Sequence, residues 1–481
     1  MYKHFLITLV FLLPVCFSTF GSSKGYHISI HLANSTDSVL YLAHYYGDKQ
    51  YIDDTSSVID KKGIYLFEGK NNLPDGMYII AGQKKNKYFD FFISAVQQFD
   101  FQCDPADIAG SMHTKNSPEN QLFFSYVAYL AHMQKTALPW QEKMKKYATS
   151  PDSLAMVRRQ LEAINEAVIS YAAKLIKEHP GYLFTAFISA NNEPDIKPYM
   201  VRKEGKIDST RLFEIYRQHF FDNIDFNDPR LLYTPILTEK AGMYLDKLVL
   251  QHPDSITKAC DLILQKGSVN KDVYKYLVWY LMLRYEASEI MGFDAVFVYI
   301  VENYYKSGKA EWLYPSVKDN ILKRSEALKP LLIGKIAPNM IMMDTASQPV
   351  ALSAVKARYT LIFFWESTCG HCKTEMPKAI KLYHEIKNKY DFQVFAVSSD
   401  TSTMAWKKYL KENNAGWINV NGNYSFTPNF HDQYDIHSTP VMYLLDEHKI
   451  IIAKRILSDQ IGDFIKQYEK LHVAASNKRA G

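Results

Sequence analysis

The sequence predicts a multidomain fold with a small all-β sandwich first, an all-α region second and an α/β domain last. Three changes of pattern indicate this: apolar residues first recur with a period of two, then with helical spacing, and strands finally alternate with helices. We place the three regions at 24–115, 116–328 and 329–475, after an N-terminal segment at 1–23. The length of 481 residues agrees with this division, since a domain averages about 150 residues.

The segment at 1–23 has the features of a secretory signal peptide. A polar start at Lys3 precedes a largely apolar run at 5–17, and small residues such as Gly21 follow. The run is shorter than the about 20 residues of a membrane-spanning helix. We therefore expect an exported protein, periplasmic or associated with the envelope, with a retained membrane anchor as the alternative. Lipidation of Cys16 is disfavoured because no small residue stands just before it.

Short strands are predicted across the first region. The run at 26–32 alternates apolar and polar residues, and 88–101 has room for one or two further strands. Other short apolar runs lie between turn-forming residues, at 39–42, 64–67 and 77–80. Short strands at this spacing are typical of a small β-sandwich.

Helices are predicted across the middle region. Ser117 followed by Pro118 is a typical helix start, because proline fits the first turn. The longer helical stretches lie at 153–178, 235–251 and 273–289. Loops containing Pro or Gly separate them, and no fixed-period repeat indicates a solenoid.

Strands and helices alternate in the last region. The run at 359–365 is apolar throughout, as expected of a strand buried on both faces, and a helix follows from Gly370. The predicted order is β-α-β-α-β-β-α, with the later elements at 392–397, 404–412, 441–445, 450–453 and 459–470. This order indicates a mixed sheet covered by helices.

Composition excludes several classes of protein. The net charge is +5, from 56 basic and 51 acidic residues, which is too weak for a dedicated nucleic-acid-binding protein. The charged fraction of 22% and hydrophobic fraction of 47% exclude wholesale disorder. Five cysteines are too few for a disulfide scaffold. We expect Cys103 and Cys260 to be buried structural thiols, with a regulatory disulfide between them as the alternative.

Cys369-Gly370-His371-Cys372 is the strongest chemical signal in the sequence. The motif stands where a buried strand leads into a helix, so Cys369 is expected at the helix N-terminus, where backbone N–H groups stabilise a thiolate. Cys372 follows within one turn and can close a disulfide. A protonated His371 would favour the thiolate further. The pattern therefore predicts a redox-active dithiol that needs no other cofactor and no metal.

Three alternatives fit the motif less well. Half of a zinc site would need a second pair of ligands, and no second C-x-x-C motif exists. Covalent haem attachment needs a histidine directly after the second cysteine, where Lys373 stands. A purely structural disulfide is unusual in so tight a loop at a helix start.

The last 150 residues or so resemble thioredoxin-fold domains of the exported TlpA/ResA type. The matching residues include Trp365 before the C-x-x-C motif, Glu375, Pro377 and Thr439-Pro440. The resemblance implies that Pro440 is cis and faces the dithiol, that Thr439 docks the substrate chain, and that Trp365 packs beside the site. The whole layout also resembles bacterial envelope proteins that carry a β-domain and a helical domain before a thioredoxin-like domain.

The resemblance implies a chemistry and its partners. Cys369 would attack a disulfide and Cys372 would resolve the mixed disulfide, with protein thiols of the envelope as substrates and a membrane protein as electron donor. Reduction is the expected direction; isomerase or oxidase activity stays open, because protein disulfide isomerases share the C-G-H-C motif. The alternative from another class is a binding or assembly protein that keeps the fold for recognition.

One departure from the family pattern concerns proton transfer. Phe363 stands where thioredoxin has a buried aspartate. Glu366 and Glu375 are the carboxylates that the sequence offers in its place. A surface position is the alternative for each of them.

Overall fold

This computed structural model of the protein describes residues 25–59, 63–200, 202–203 and 206–479. The predicted signal peptide at 1–23, including Cys16, lies outside the described residues. The chain divides into two compact units, the first ending at Lys240 and the second beginning at Ala241. The predicted fold class is confirmed, with β-sheets first, helices next and an α/β region last. The domain boundaries at 116 and 329 stay predictions.

The first unit begins with a β-sandwich. Its described strands form two four-stranded sheets, in the orders β4-β1-β7-β8 and β3-β2-β5-β6. The strands are β1 Tyr26–Leu32, β2 Val39–Tyr46, β3 Lys49–Ser57, β4 Ile64–Gly69, β5 Gly76–Ala81, β6 Lys87–Ile93, β7 Gln98–Cys103 and β8 His113–Lys115. Alternate residues of β1, such as Ile28 and Ile30, are buried in one cluster with Tyr78 and Ile80 of β5. The two sheets therefore pack face to face. Sequence patterning missed β3, because most of its side chains are exposed and polar.

Helices complete the first unit. The longest, α2, starts at Pro118 with Ser117 as its N-cap residue, as the sequence predicted. The other elements are α1 Ile108–Ser111, α2 Pro118–Lys146, α3 Pro151–Glu178, α4 Leu183–Asn191, β9 Arg202–Lys203, β10 Lys206–Ile207 and α5 Ser209–His219.

One helix runs across the division at Lys240, and further helices follow it in the second unit. The helix predicted at 235–251 is present as an α-helix, Ile236–Met243, that continues directly into a π-helical turn, Tyr244–Leu248, and so ends three residues early. The helices are α6 Ile236–Met243, α7 Pro253–Gly267, α8 Lys271–Glu286, α9 Asp294–Ile300 and α10 Pro315–Leu328. Across the described residues, no helix is both long enough and apolar enough to cross a membrane.

The rest of the second unit is a mixed sheet covered by helices. Over the described residues the strand order is β12-β11-β15-β14-β13-β16-β17. The elements are β11 Ile341–Asp344, β12 Pro349–Ala351, β13 Tyr359–Trp365, α11 Gly370–Ile386, β14 Phe392–Ser398, α12 Thr403–Asn413, β15 Ile418–Ser425, α13 Phe430–Gln433, β16 Val441–Leu445, β17 Ile451–Lys454 and α14 Ser458–Arg479. Strand β13 pairs in parallel with β14 and antiparallel with β16.

The predicted order of elements omitted β11, β12 and β15. Strand β15 carries Asn419, Asn421 and Asn423, which interrupt the apolar pattern of a strand. All three amides are used within the fold. Asn421 and Asn423 each donate a side-chain hydrogen bond to the Asp400 carbonyl, both at 2.9 Å, and Asn419 donates to the Ala415 carbonyl at 2.9 Å. Tertiary hydrogen bonds thus stabilise a strand that its apolar content did not reveal.

Candidate active site

The C-x-x-C motif follows the carboxyl end of β13, an interior strand of the sheet whose residues are all buried. Strand β13 ends at Trp365, and α11 begins at Gly370 with Cys369 as its N-cap residue. The Lys373 N–H donates to the Cys369 carbonyl at 3.1 Å, closing the first helical turn. Cys369 is partly exposed, whereas Cys372 is buried, and both are free thiols.

The surroundings of Cys369 favour its thiolate. Burial raises the pKa of this thiol, but hydrogen bonds outweigh burial and leave the pKa below its ordinary value. They involve the backbone N–H groups of Cys372 and His371 and the side chains of Thr439 and Cys372. Unpaired N–H groups at a helix N-terminus stabilise an anion in this way. In the protonated form, Cys369 Sγ donates to the Thr439 carbonyl at 3.3 Å.

The surroundings of Cys372 favour its protonated thiol. Burial is the main reason why the pKa of Cys372 rises to about 11, and the neighbouring Cys369 raises it further. Cys372 belongs to the core cluster that contains Trp365 and Met376. The two sulfurs therefore differ in both access and acidity.

Thr439 and Pro440, the predicted docking residues, lie next to the dithiol; we call the residues 435–440 the docking segment. The Thr439–Pro440 peptide bond is cis, as the resemblance implied. The Thr439 carbonyl contacts Cys369 Sγ, so the segment before β16 faces the more exposed sulfur.

Three further predicted residues surround the motif. Trp365 is fully buried, and its ring centroid lies 5.2 Å from that of Tyr409. Glu366 accepts through its backbone carbonyl from the Cys369 N–H at 3.3 Å, while its carboxylate accepts from the Thr368 hydroxyl at 2.7 Å. His371 is exposed and contributes its backbone N–H to Cys369.

Glu375 is held by another part of the domain. Its carboxylate is buried, accepts from the Ser458 N–H at 2.8 Å and lies 3.4 Å from Lys378 Nζ. Because Ser458 is the first residue of α14, this contact ties α11 to the start of that helix. Glu375 thus anchors a helix, and any influence on the dithiol stays a prediction.

Asp400 is a buried carboxylate at this edge that the sequence analysis missed. Both of its oxygens accept from the Ser367 N–H at 3.1 Å, and the hydroxyls of Ser367 and Ser398 donate to them at 2.6 and 2.7 Å. Ser367 lies two residues before Cys369, so Asp400 holds the loop that carries Cys369. The available signal was a polar run, Ser398 to Asp400, directly after a buried strand.

Tyr409 is close enough to both Asp400 and Cys372 for their charges to act on its hydroxyl. Burial, followed by the charges of Cys372 and Asp400, raises the pKa of the Tyr409 hydroxyl. Phe363, at the position where thioredoxin has its buried aspartate, pairs with Ala396 inside the sheet. The buried carboxylate near the motif therefore follows β14, whereas Glu366, which follows β13, is only partly buried.

The two other cysteines among the described residues, Cys103 and Cys260, are buried free thiols. Burial raises the pKa of Cys103 to about 12, and it also raises that of Cys260. Neither environment favours a reactive thiolate. In the part of the chain that the structure describes, no cluster of three or more His, Cys, Asp or Glu side chains could hold a metal ion.

Comparison with known proteins identifies the α/β region. Residues 333–474 match the AhpC/TSA family. The chain is 25% identical over 143 residues to the thiol-disulfide oxidoreductase ResA of Bacillus cereus, covering 28% of this chain and 76% of that protein. The C-terminal region is a thioredoxin-fold domain of the AhpC/TSA family. The predicted resemblance to ResA-type proteins is confirmed, and we call residues 333–474 the redox domain.

Solved structures and further families complete the comparison. A domain of a possible thiol-disulfide isomerase from Cytophaga hutchinsonii is 41% identical, with a TM-score of 0.29, covering 30% of this chain and 98% of that domain. A thioredoxin-like protein from Bacteroides caccae is 19% identical, with a TM-score of 0.45, covering 55% of this chain and 96% of that protein. Residues 26–123 and 210–328 match two domains of unknown function, DUF4369 and DUF5106.

The difference between the two sulfurs predicts the pH dependence of alkylation. In the reduced protein, Cys369 should react with iodoacetamide with an apparent pKa below the ordinary 9.0, because hydrogen bonds stabilise its thiolate. The rate should therefore reach its plateau at a lower pH than the rate of an ordinary thiol. Cys369→Ser should abolish this phase and Cys372→Ser should retain it. A low-pKa phase that survives in Cys369→Ser would contradict the assignment.

The hydrogen bonds of Asp400 predict a measurable effect on stability. Asp400→Asn should destabilise the protein by about 1.5–3 kcal/mol, because the amide cannot replace every charge-assisted hydrogen bond from Ser367 and Ser398. Urea unfolding of the full chain, followed by tryptophan fluorescence, would measure the change. Asp463→Asn is the matched control, since Asp463 is exposed on α14. Equal stabilities of the two variants would show that the Asp400 contacts are unimportant.

Proposed function

We propose that this protein reduces protein disulfides in the bacterial envelope by exchange with the Cys369/Cys372 dithiol. The contrast between the two sulfurs supports this function best. Cys369 is partly exposed, has a lowered pKa and contacts the docking segment, whereas Cys372 is buried with a pKa of about 11. Cys369 is therefore suited to attack the substrate disulfide, and Cys372 is suited to resolve the mixed disulfide afterwards.

The exchange proceeds in two steps. The Cys369 thiolate attacks one sulfur of the substrate disulfide, the substrate S–S bond breaks, and the released substrate sulfur takes up a proton. Cys372 then loses its proton and attacks Cys369 Sγ, which frees the second substrate sulfur as a thiol. The substrate gains two electrons and two protons, and the protein is left with a Cys369–Cys372 disulfide.

The surrounding residues have proposed roles in this exchange. The backbone of Thr439, ahead of Pro440, docks the extended chain of the substrate beside Cys369. Trp365 forms the buried floor next to Cys372. His371 and Glu366 tune the acidity of the dithiol, His371 through its charge when protonated.

The proposed direction and location follow the ResA-type relatives. A membrane protein of unassigned identity would return electrons to the oxidised dithiol, and the N-terminal segment would direct export. Two alternatives predict different outcomes. An isomerase or oxidase would use the same dithiol at a higher reduction potential. A binding protein would show no catalytic reduction of a disulfide substrate.

Trapping of partners tests the roles of the two cysteines. Cys372→Ser should accumulate mixed disulfides with envelope proteins through Cys369, because the resolving thiol is missing. Cys369→Ser should trap none. Cys103→Ser is the control and should behave as wild type, since Cys103 is buried in the β-sandwich. Non-reducing gels of envelope extracts would show the adducts, and equal trapping by both active-site variants would contradict the assigned roles.

The reduction potential tests the direction. Potentials run from about −270 mV for thioredoxin to about −180 mV for disulfide isomerase. We expect the Cys369/Cys372 couple to lie nearer the thioredoxin value, as measured by equilibration with glutathione buffers. Insulin reduction with dithiothreitol as donor should show turnover. A potential near the isomerase value would favour the isomerase alternative, and an absence of turnover would favour the binding protein.

A further inference from the structure

The docking segment is held by a residue from outside the redox domain. Asp435 lies four residues before Thr439, and its side chain is only 4% exposed. Arg324 of α10 donates a hydrogen bond from Nη1 to Asp435 Oδ1. Arg324 precedes residue 333, where the match to the AhpC/TSA family begins. A helix outside the family domain therefore contacts the segment that leads to the dithiol.

Two other groups contact the same carboxylate, and both are more weakly placed. His437 Nε2 lies 3.0 Å from Asp435 Oδ1, and Arg455 Nη2 lies 3.7 Å from Oδ2. Their side chains are 75% and 52% exposed, against 27% for Arg324. Without Arg324, a buried carboxylate would depend on two solvated partners, which is unfavourable for a desolvated charge.

We propose that Arg324 is a positioning residue for disulfide exchange, because it fixes the segment 435–440 against Cys369. The proposal rests on the docking role given above to Thr439 and Pro440. Arg324 touches neither substrate nor sulfur in this scheme. It acts through Asp435 on the placement of the Thr439 backbone.

The shape of the segment explains how one ion pair can have this effect. Tyr434, Asp435 and Ile436 are buried, whereas His437 and Ser438 are exposed. The buried half is anchored by the Ile436 N–H, which donates to the His431 carbonyl at 2.9 Å, and by Asp435. The exposed half carries the chain to Thr439, whose carbonyl lies 3.3 Å from Cys369 Sγ.

A cavity borders one side of the docking segment, so the position of the segment depends on the contacts of Asp435 and Ile436. The cavity has a volume of about 300 Å³ and borders the segment along its length. It is lined in part by Asp435, His437, Ser438, Pro440 and Arg455. Since open space adjoins the segment there, the contact with α10 provides support that close packing would otherwise give.

A second, independent contact holds the helices against the same domain. Lys454, the last residue of β17, is buried and pairs with Asp294 of α9. Its Nζ also donates to the Leu331 carbonyl at 2.9 Å. Burial lowers the pKa of Lys454, and the charge of Asp294 opposes this shift. Because α9 also packs against α10, this attachment supports the helix that carries Arg324.

The test uses the full chain and two readouts. The first is kcat/KM for insulin reduction with dithiothreitol as donor, compared with the rate of Cys369 alkylation by iodoacetamide. Arg324→Ala should lower kcat/KM by roughly tenfold or more, because small displacements of a docking group are costly, while alkylation should stay within about twofold. The second readout is hydrogen–deuterium exchange of the backbone amides of residues 435–439, which should become faster; Pro440 has no N–H.

Glu326→Ala provides the matched control. Glu326 lies on the same helix in an exposed pair with Lys306, at 2.9 Å. This variant should match wild type in both readouts. If Arg324→Ala fails to fold, Asp435→Asn replaces it, because the amide keeps the size of the side chain and weakens the pair.

The outcomes separate this proposal from the proposed function. If the wild-type protein did not turn over insulin, the proposed reductase activity would be refuted. Hydrogen–deuterium exchange of the docking segment in Arg324→Ala would still show whether Arg324 holds that segment. Wild type that turns over, with Arg324→Ala equal to Glu326→Ala in kcat/KM and exchange, would overturn the positioning role alone. Equal losses of kcat/KM and alkylation would also overturn it, because the change would then lie at the sulfur.

Discussion

Strand β13 is buried along its whole length, and the rest of the candidate site depends on where that strand ends. Its last residue, Trp365, pairs with Ser398 at the end of the parallel strand β14, and Phe364 pairs with Val441 at the start of the antiparallel strand β16. The carboxyl end of one neighbour and the amino end of the other therefore meet at one edge. That pairing brings together Cys369, Asp400 and Pro440.

The same geometry explains why two thiols of one motif behave differently. Cys369 caps a helix at the edge of the sheet, where N–H groups and solvent are within reach, while one helical turn carries Cys372 into the core. A thiolate is stabilised by the first environment and destabilised by the second. The neighbouring Cys369 also raises the pKa of Cys372. In the proposed exchange the mixed disulfide would remove the charge of Cys369, and Cys372 would then lose its proton more readily.

The contacts between helices and redox domain give the middle of the chain a physical role. Buried ion pairs such as Lys454–Asp294 add little net stability, because removing two charges from water is costly. Such pairs do fix the relative position of the two elements that they join, since displacing one partner would leave an unpaired buried charge. The Arg324–Asp435 pair holds the start of the segment 435–440, which ends at the cis Thr439–Pro440 bond beside Cys369. Under the proposed positioning role, helix α10 would therefore contribute to disulfide exchange.

The sequence by itself determined the elements whose signals are local. The apolar run of β13, the helix that follows it and the Cys369/Cys372 motif were predicted because strand burial, helix capping and C-x-x-C spacing depend on adjacent residues. The roles of Glu375 and Asp400 were decided only by tertiary structure. Glu375 was named as a carboxylate for the dithiol because it matches the family motif, and its observed partner, Ser458, lies 83 residues away. Asp400 stands 31 residues after Cys369 and reaches its loop through parallel strand pairing, which no local periodicity encodes.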